Sequence, residues 1–179
     1  MFDGSKLPYE ENIATTARIA EIAHIVGIPV EAELGRVLKS EDNVTPEEVE
    51  AAMTDPDQAA DFVERTGCDS LAVAIGSVHA MKEAQAELDI ERLRAIREKV
   101  DIPFVLHGSS GVKEDSEVEA IQHGIAKINV ATMLNQGFVR GLKESMAEMP
   151  DNVDPRKFLV YSRENVKEVV RHKIRLFGG

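Results

Sequence analysis

Ser70-Leu-Ala-Val-Ala-Ile-Gly76 and Pro103-Phe-Val-Leu-His107 are apolar almost throughout. A short strand without polar alternation belongs in a parallel sheet buried on both faces. Working outward, Ile28 to Leu34 and Ala126 to Val130 read as two more strands, and Met1-Phe-Asp3 as the end of another. Helical spacing fills the gaps between them. Glu10 to Val26 carries Ile13, Ala17, Ala20, Ile22, Ala23 and Ile25 close to helical spacing and stops at Gly27. Thr45-Pro46 and Asp55-Pro56 each read as an N-cap followed by proline at the first helical position. Asp89 to Val100, Glu117 to His123, Leu134 to Met149 and Asp154 to Phe177 complete the helices, the last stretch as one or two. Four strands and a stub, each followed by a helix, predict an α/β fold of parallel βα units.

The composition agrees. The 179 residues are 43% hydrophobic and 30% charged, with no Trp. A single cysteine excludes an internal disulfide framework. Lys and Arg number 21 against 32 Asp and Glu, a net charge of −11, which disfavours a nucleic-acid partner. No apolar run approaches the roughly 20 residues of a membrane span. The N-terminal MFDGSKLPYEEN lacks the basic-then-apolar shape of a signal peptide. One domain, 1–179, in the cytoplasm is expected.

Active residues of parallel α/β folds lie at the C-terminal strand ends. Those ends read Asp3-Gly-Ser5, Glu31-Ala-Glu33-Leu-Gly35, Gly76-Ser-Val-His79, His107-Gly-Ser-Ser-Gly111 and Asn129-Val-Ala-Thr132. His79 and His107, on neighbouring strand ends, are suited to one metal ion, since imidazole is the commonest zinc ligand. Either histidine alone reads more simply as a hydrogen-bonded loop residue. Gly108-Ser-Ser-Gly111 can present backbone N–H groups to a phosphate, although by itself it is an ordinary turn. The Asn129–Thr132 segment adds donors beyond the next strand. Glu31 and Glu33 are expected on opposite faces of their strand, leaving Glu33 as the one that faces the site. Glu41-Asp42 reads as a solvated loop, Cys68 as a small buried residue, and His24, His123 and His172 as structural or surface positions.

Six segments then carry a resemblance: DGSKLPYEEN (3–12), VEAELG (30–35), DSLAVAIGSVHA (69–80), PFVLHGSSGV (103–112), KINVAT (127–132) and DPRKFL (154–159). In this order and spacing they resemble the class II, metal-dependent fructose-bisphosphate and tagatose-bisphosphate aldolases, over nearly the whole chain. The resemblance implies a (β/α)8 barrel, of which this chain would form about strands 4–8 with the N-terminal units missing. It implies a divalent metal, usually Zn2+, polarising the ketone of dihydroxyacetone phosphate. His79 and His107 then correspond to two of three catalytic metal ligands. Asp3 and Glu33 correspond to a second metal position, for a divalent or monovalent cation. Gly108, Ser109, Ser110, Asn129, Val130, Ala131, Thr132 and, less closely, Ala80 correspond to phosphate and substrate contacts. Glu41 falls where the family's mobile loop places a proton-transferring acid. Arg156 resembles an arginine that reaches the distal phosphate, in some members from a neighbouring subunit, so a homo-oligomer is expected.

Three departures qualify the carry-over. The family's glycine-rich loop here reads Arg36-Val-Leu-Lys-Ser-Glu41, and its glycine after the first histidine is Ala80. No His-Leu-Asp-His-type motif, which supplies the family's third histidine and catalytic aspartate, occurs in the chain. A typical barrel has about 250 residues. The expectation is an aldolase of glycolytic or related carbohydrate metabolism, cleaving a fructose or tagatose 1,6-bisphosphate, with this chain inactive alone. The alternatives are a non-catalytic phosphate-binding or subunit-interaction half-barrel, and another phosphate-handling barrel enzyme such as an isomerase.

Overall fold

Strand β1 (Glu31–Leu34) pairs in parallel with β2 (Ser70–Val73), β2 with β3 (Phe104–Leu106), and β3 with β4 (Ile125–Ile128), giving a sheet in the order β1-β2-β3-β4. This is a computed structural model, and it describes residues 1–38, 45–78 and 86–178. Glu41, His79 and Ala80 therefore lie outside the described residues. The chain divides into two compact units, Met1–Asn129 and Val130–Gly179.

The first unit holds the sheet. Phe2 forms a parallel bridge to Ala32, with its N–H donating to the Glu31 carbonyl at 2.8 Å, so the expected stub lies along β1. Between the strands run α1 (Tyr9–Ile25), α2 (Pro46–Ala52), α3 (Pro56–Thr66), α4 (Ile90–Arg97) and α5 (Glu114–Gln122). Their starts follow local chemistry. Thr45 caps α2 in a full capping box with Glu48, and the Asp55 carboxylate accepts from the N–H groups of Asp57 and Gln58 at the head of α3. The fifth helix begins at Glu114, three residues before the start read from the sequence.

Register sorts the strand residues into two rows. Ala32, Leu71, Phe104 and Ile125 are successive partners and all belong to the buried apolar cluster, with Phe62, Leu93 and Ile96 from the helices. Glu33, Ala72, Val105 and Lys127 form the second row, on the opposite face. One irregularity matters: Phe104 pairs with Ile125, but Val105 pairs with Lys127, skipping Ala126. Ile125 and Lys127 are two apart and would share a face in a regular strand. The bulge turns Lys127 towards the row of Glu33 instead.

The ends of β1 and β2 are joined by Thr54, 1% exposed. Its hydroxyl donates to the Leu34 carbonyl at 2.6 Å and accepts from the Ala74 N–H at 2.8 Å. Thr54→Val keeps the shape but leaves both backbone groups buried without that partner. A loss of about 2 kcal/mol is expected, read by urea denaturation followed by circular dichroism. A change within a few tenths would show that the bridge carries no weight.

The second unit is a pair of packed helices, α6 (Thr132–Glu148) and α7 (Pro155–Leu176). The second of these is one continuous helix. Where they cross, Gly141 lies so close to α7 that an added Cβ would sit 2.6 Å from the Tyr161 carbonyl oxygen. Among the described residues no helix is long and apolar enough to cross a membrane.

Candidate functional site

His107 directly follows β3, and its ring is held between two carboxylates of β1. Nε2 lies 3.1 Å from Glu31 Oε1, and Nδ1 lies 3.0 Å from Glu33 Oε2. The three side chains are only 8%, 12% and 5% exposed. Glu31 and Glu33 thus reach the same ring, and the expectation that they face opposite sides is wrong. Residues two apart on a strand share a face, because the side-chain period is two. Their route to His107 crosses β2, which offers only Ser70 and Ala72 opposite them in register. Small side chains there leave room for the contact.

The electrostatics are those of a compact ion network. The Glu33 hydrogen bond, with Glu31 adding to it, holds the His107 imidazolium above the usual histidine range against the opposing effect of burial. Burial pushes the Glu31 carboxyl up, but hydrogen bonds from Lys127 and His107 outweigh it and leave the carboxyl below its ordinary value. Lys127 Nζ sits 2.6 Å from Glu31 Oε2. Asp3 lies close enough to feel the His107 charge. Burial raises its carboxyl, and the Ser5 side-chain and backbone bonds, at 2.7 and 3.0 Å, bring it below its usual value.

The loop after β3 is built next to this group. Gly108 adopts a left-handed conformation at φ +69°, and Ser109–Gly111 form one 3-10 turn. The Ser109 hydroxyl donates to the Asn129 carbonyl at 2.8 Å, so it ties the β3 loop to the end of β4. The two segments expected to contact phosphate, 108–110 and the Asn129 end of 129–132, are therefore brought together. That hydroxyl is already engaged, which leaves backbone N–H groups and Ser110 as the available donors. Val130, Ala131, Thr132 and Arg156 belong to the second unit. Thr132 opens α6, and Arg156 pairs through Nη2 with the Asp154 carboxylate at 2.8 Å while 88% exposed.

Among the described residues no group of three His, Cys, Asp or Glu is placed to hold a metal ion. His107 Nδ1 and Glu33 Oε2, 3.0 Å apart, pair a nitrogen with an oxygen donor, the donor types a divalent cation takes. Two participants escaped the sequence reading. Glu31 was legible from strand periodicity alone. Lys127 was not, because its orientation depends on the bulge. Elsewhere, His24 lies at the surface, 2.8 Å from Asp69, and Cys68 is buried, its thiol pushed up by burial.

The strand-end histidine, its carboxylates and the adjoining glycine-serine loop can be set beside known proteins. The family described as fructose-bisphosphate aldolase class-II matches residues 1–179. The chain belongs to the class II fructose-bisphosphate aldolase family. Among solved structures, the YdjI aldolase from Escherichia coli K12 is 42% identical, with a TM-score of 0.79, covering 99% of this chain and 59% of that one. The fructose-bisphosphate aldolase of Campylobacter jejuni is 24% identical, with a TM-score of 0.78, covering 98% and 59%. The chain spans about 59% of the length of these members of the family. Its parallel βα architecture is that of part of their barrel.

Proposed function

We propose that the chain supplies the metal-binding and phosphate-binding strand ends of a zinc-dependent aldolase. The reaction is reversible cleavage of a fructose or tagatose 1,6-bisphosphate into dihydroxyacetone phosphate and an aldehyde phosphate. The observation that carries this reading is His107, bracketed by Glu31 and Glu33 beside the Gly108–Gly111 turn. In this reading His79 and His107 hold Zn2+, while Asp3 and Glu33 hold a second cation. Bound there, the metal would supply Lewis-acid polarisation of a substrate carbonyl. The residues of the chain bind, orient and move a proton. Glu31 orients the imidazole. Backbone N–H groups of Gly108 to Ser110, the side-chain donors of 129–132 and, less closely, Ala80 bind the phosphate and substrate. Glu41 moves a proton, and Arg156 binds the distal phosphate. Residues outside these 179 would contribute a third histidine and the catalytic aspartate. All of it forms one barrel domain in a cytoplasmic homo-oligomer.

Zinc titration by calorimetry tests the metal assignment. The wild-type chain is expected to bind Zn2+ at least tenfold more tightly than His79→Ala/His107→Ala, and equal affinities would sink it. A coupled assay for dihydroxyacetone phosphate is expected to show little turnover by the 179-residue chain alone, since two imidazoles hold catalytic zinc poorly. Robust turnover would refute the incomplete-site reading. Zinc-independent phosphate binding would favour a non-catalytic module.

A further inference from the structure

We propose that Lys127 is a positioning residue, which acts through Glu31 to fix the orientation of the His107 ring. The inference rests on the reading of that ring as a metal ligand. Lys127 stands on β4 and Glu31 on β1, with two strands between them. They meet because the β3–β4 bulge places Lys127 in the row of Glu33, Ala72 and Val105. The Glu31 carboxylate then divides its oxygens: Oε2 meets Lys127 Nζ at 2.6 Å, and Oε1 meets His107 Nε2 at 3.1 Å.

Two carboxylates contend for one imidazole, and they are not equivalent. Glu31 is fixed by a second cation, so its hold on Nε2–H is geometrically determined. Metal-binding histidines are regularly oriented in this way by a carboxylate on the nitrogen that does not ligate. Nδ1, which faces Glu33 at 3.0 Å, is then the nitrogen left to a metal. Lys127 itself is half exposed, and exposed ion pairs add little to stability. Its contribution therefore lies in where the ring points rather than in how strongly the chain folds.

The test uses the metal-free 179-residue chain labelled with 15N, and long-range 1H–15N spectra of its histidine rings at one pH. His107→Ala identifies the ring. The wild type is expected to show a slowly exchanging Nε2–H. Lys127→Met should lose it to exchange, and Lys127→Arg should restore it, while both melt within a few degrees of wild type. Zinc affinity should fall about 10–100-fold in Lys127→Met and recover in Lys127→Arg. An unchanged Nε2–H signal in Lys127→Met overturns the proposal, even if the wild-type chain binds zinc. If the signal moves as expected but the wild-type chain binds no zinc, the positioning role stands and the metal reading falls.

Discussion

His107→Ala should destabilise the metal-free chain by about 3–5 kcal/mol, the usual cost of removing one partner from a buried ion pair. The size follows from what remains. Glu31 keeps Lys127, but Glu33, 5% exposed, loses the imidazole that sits 3.0 Å away. Two carboxylates would then share a buried space without the cation between them. Like charges in a site of low polarity repel strongly. The double variant His107→Ala/Glu33→Gln removes the stranded charge and should recover about 1–3 kcal/mol of the loss, the range for coupled neighbours. Urea denaturation of the four proteins completes the cycle. A loss below about 1 kcal/mol for His107→Ala, or strict additivity, would show that the pair is weakly coupled.

The same residues show what a sequence of this kind discloses. Parallel order was legible because Leu71, Ala72 and Val73 leave no polar face, and helix starts were legible because Thr45 and Asp55 carry their own caps. The placing of His107 followed from the rule that chemistry gathers at strand ends. The pairing of Glu31 with Glu33 was equally present in the sequence, since period two puts them on one face. Lys127 is a different case. Its face is set by a slip in register between two strands, and no local pattern in Ile125-Ala-Lys127 announces a bulge. Nor does any pattern show that the Ser109 hydroxyl is already bound to the Asn129 carbonyl rather than waiting for a phosphate. Contacts between strands distant in sequence fix both features, and such contacts exist only once the sheet has formed.

Gly35→Ala is expected to cost about 3–4 kcal/mol, through two effects that can be separated. Gly35 ends the VEAELG segment at φ +77°, and its added Cβ would lie 2.6 Å from Thr54 Oγ1, 2.9 Å from Thr54 N and 2.9 Å from Ala74 Cβ. The left-handed conformation alone costs an L-residue about 1–2 kcal/mol. Overpacking against rigid neighbours typically adds about 1–3 kcal/mol. Gly67 is the internal control: it caps α3 at φ +64°, and a Cβ added there would meet nothing within 4 Å. Gly67→Ala should therefore show only the conformational part, about 1–2 kcal/mol. The difference between the two variants, measured by urea denaturation, isolates the steric part. If the two losses are equal, the approach of Thr54 and Ala74 to Gly35 is looser than these distances indicate. If Gly35→Ala is the larger, the requirement for glycine here comes from the bridge that Thr54 makes between β1 and β2. Glycine at this position then serves the site indirectly, because the bridge that crowds it also anchors the end of β1, at the residue after Glu33.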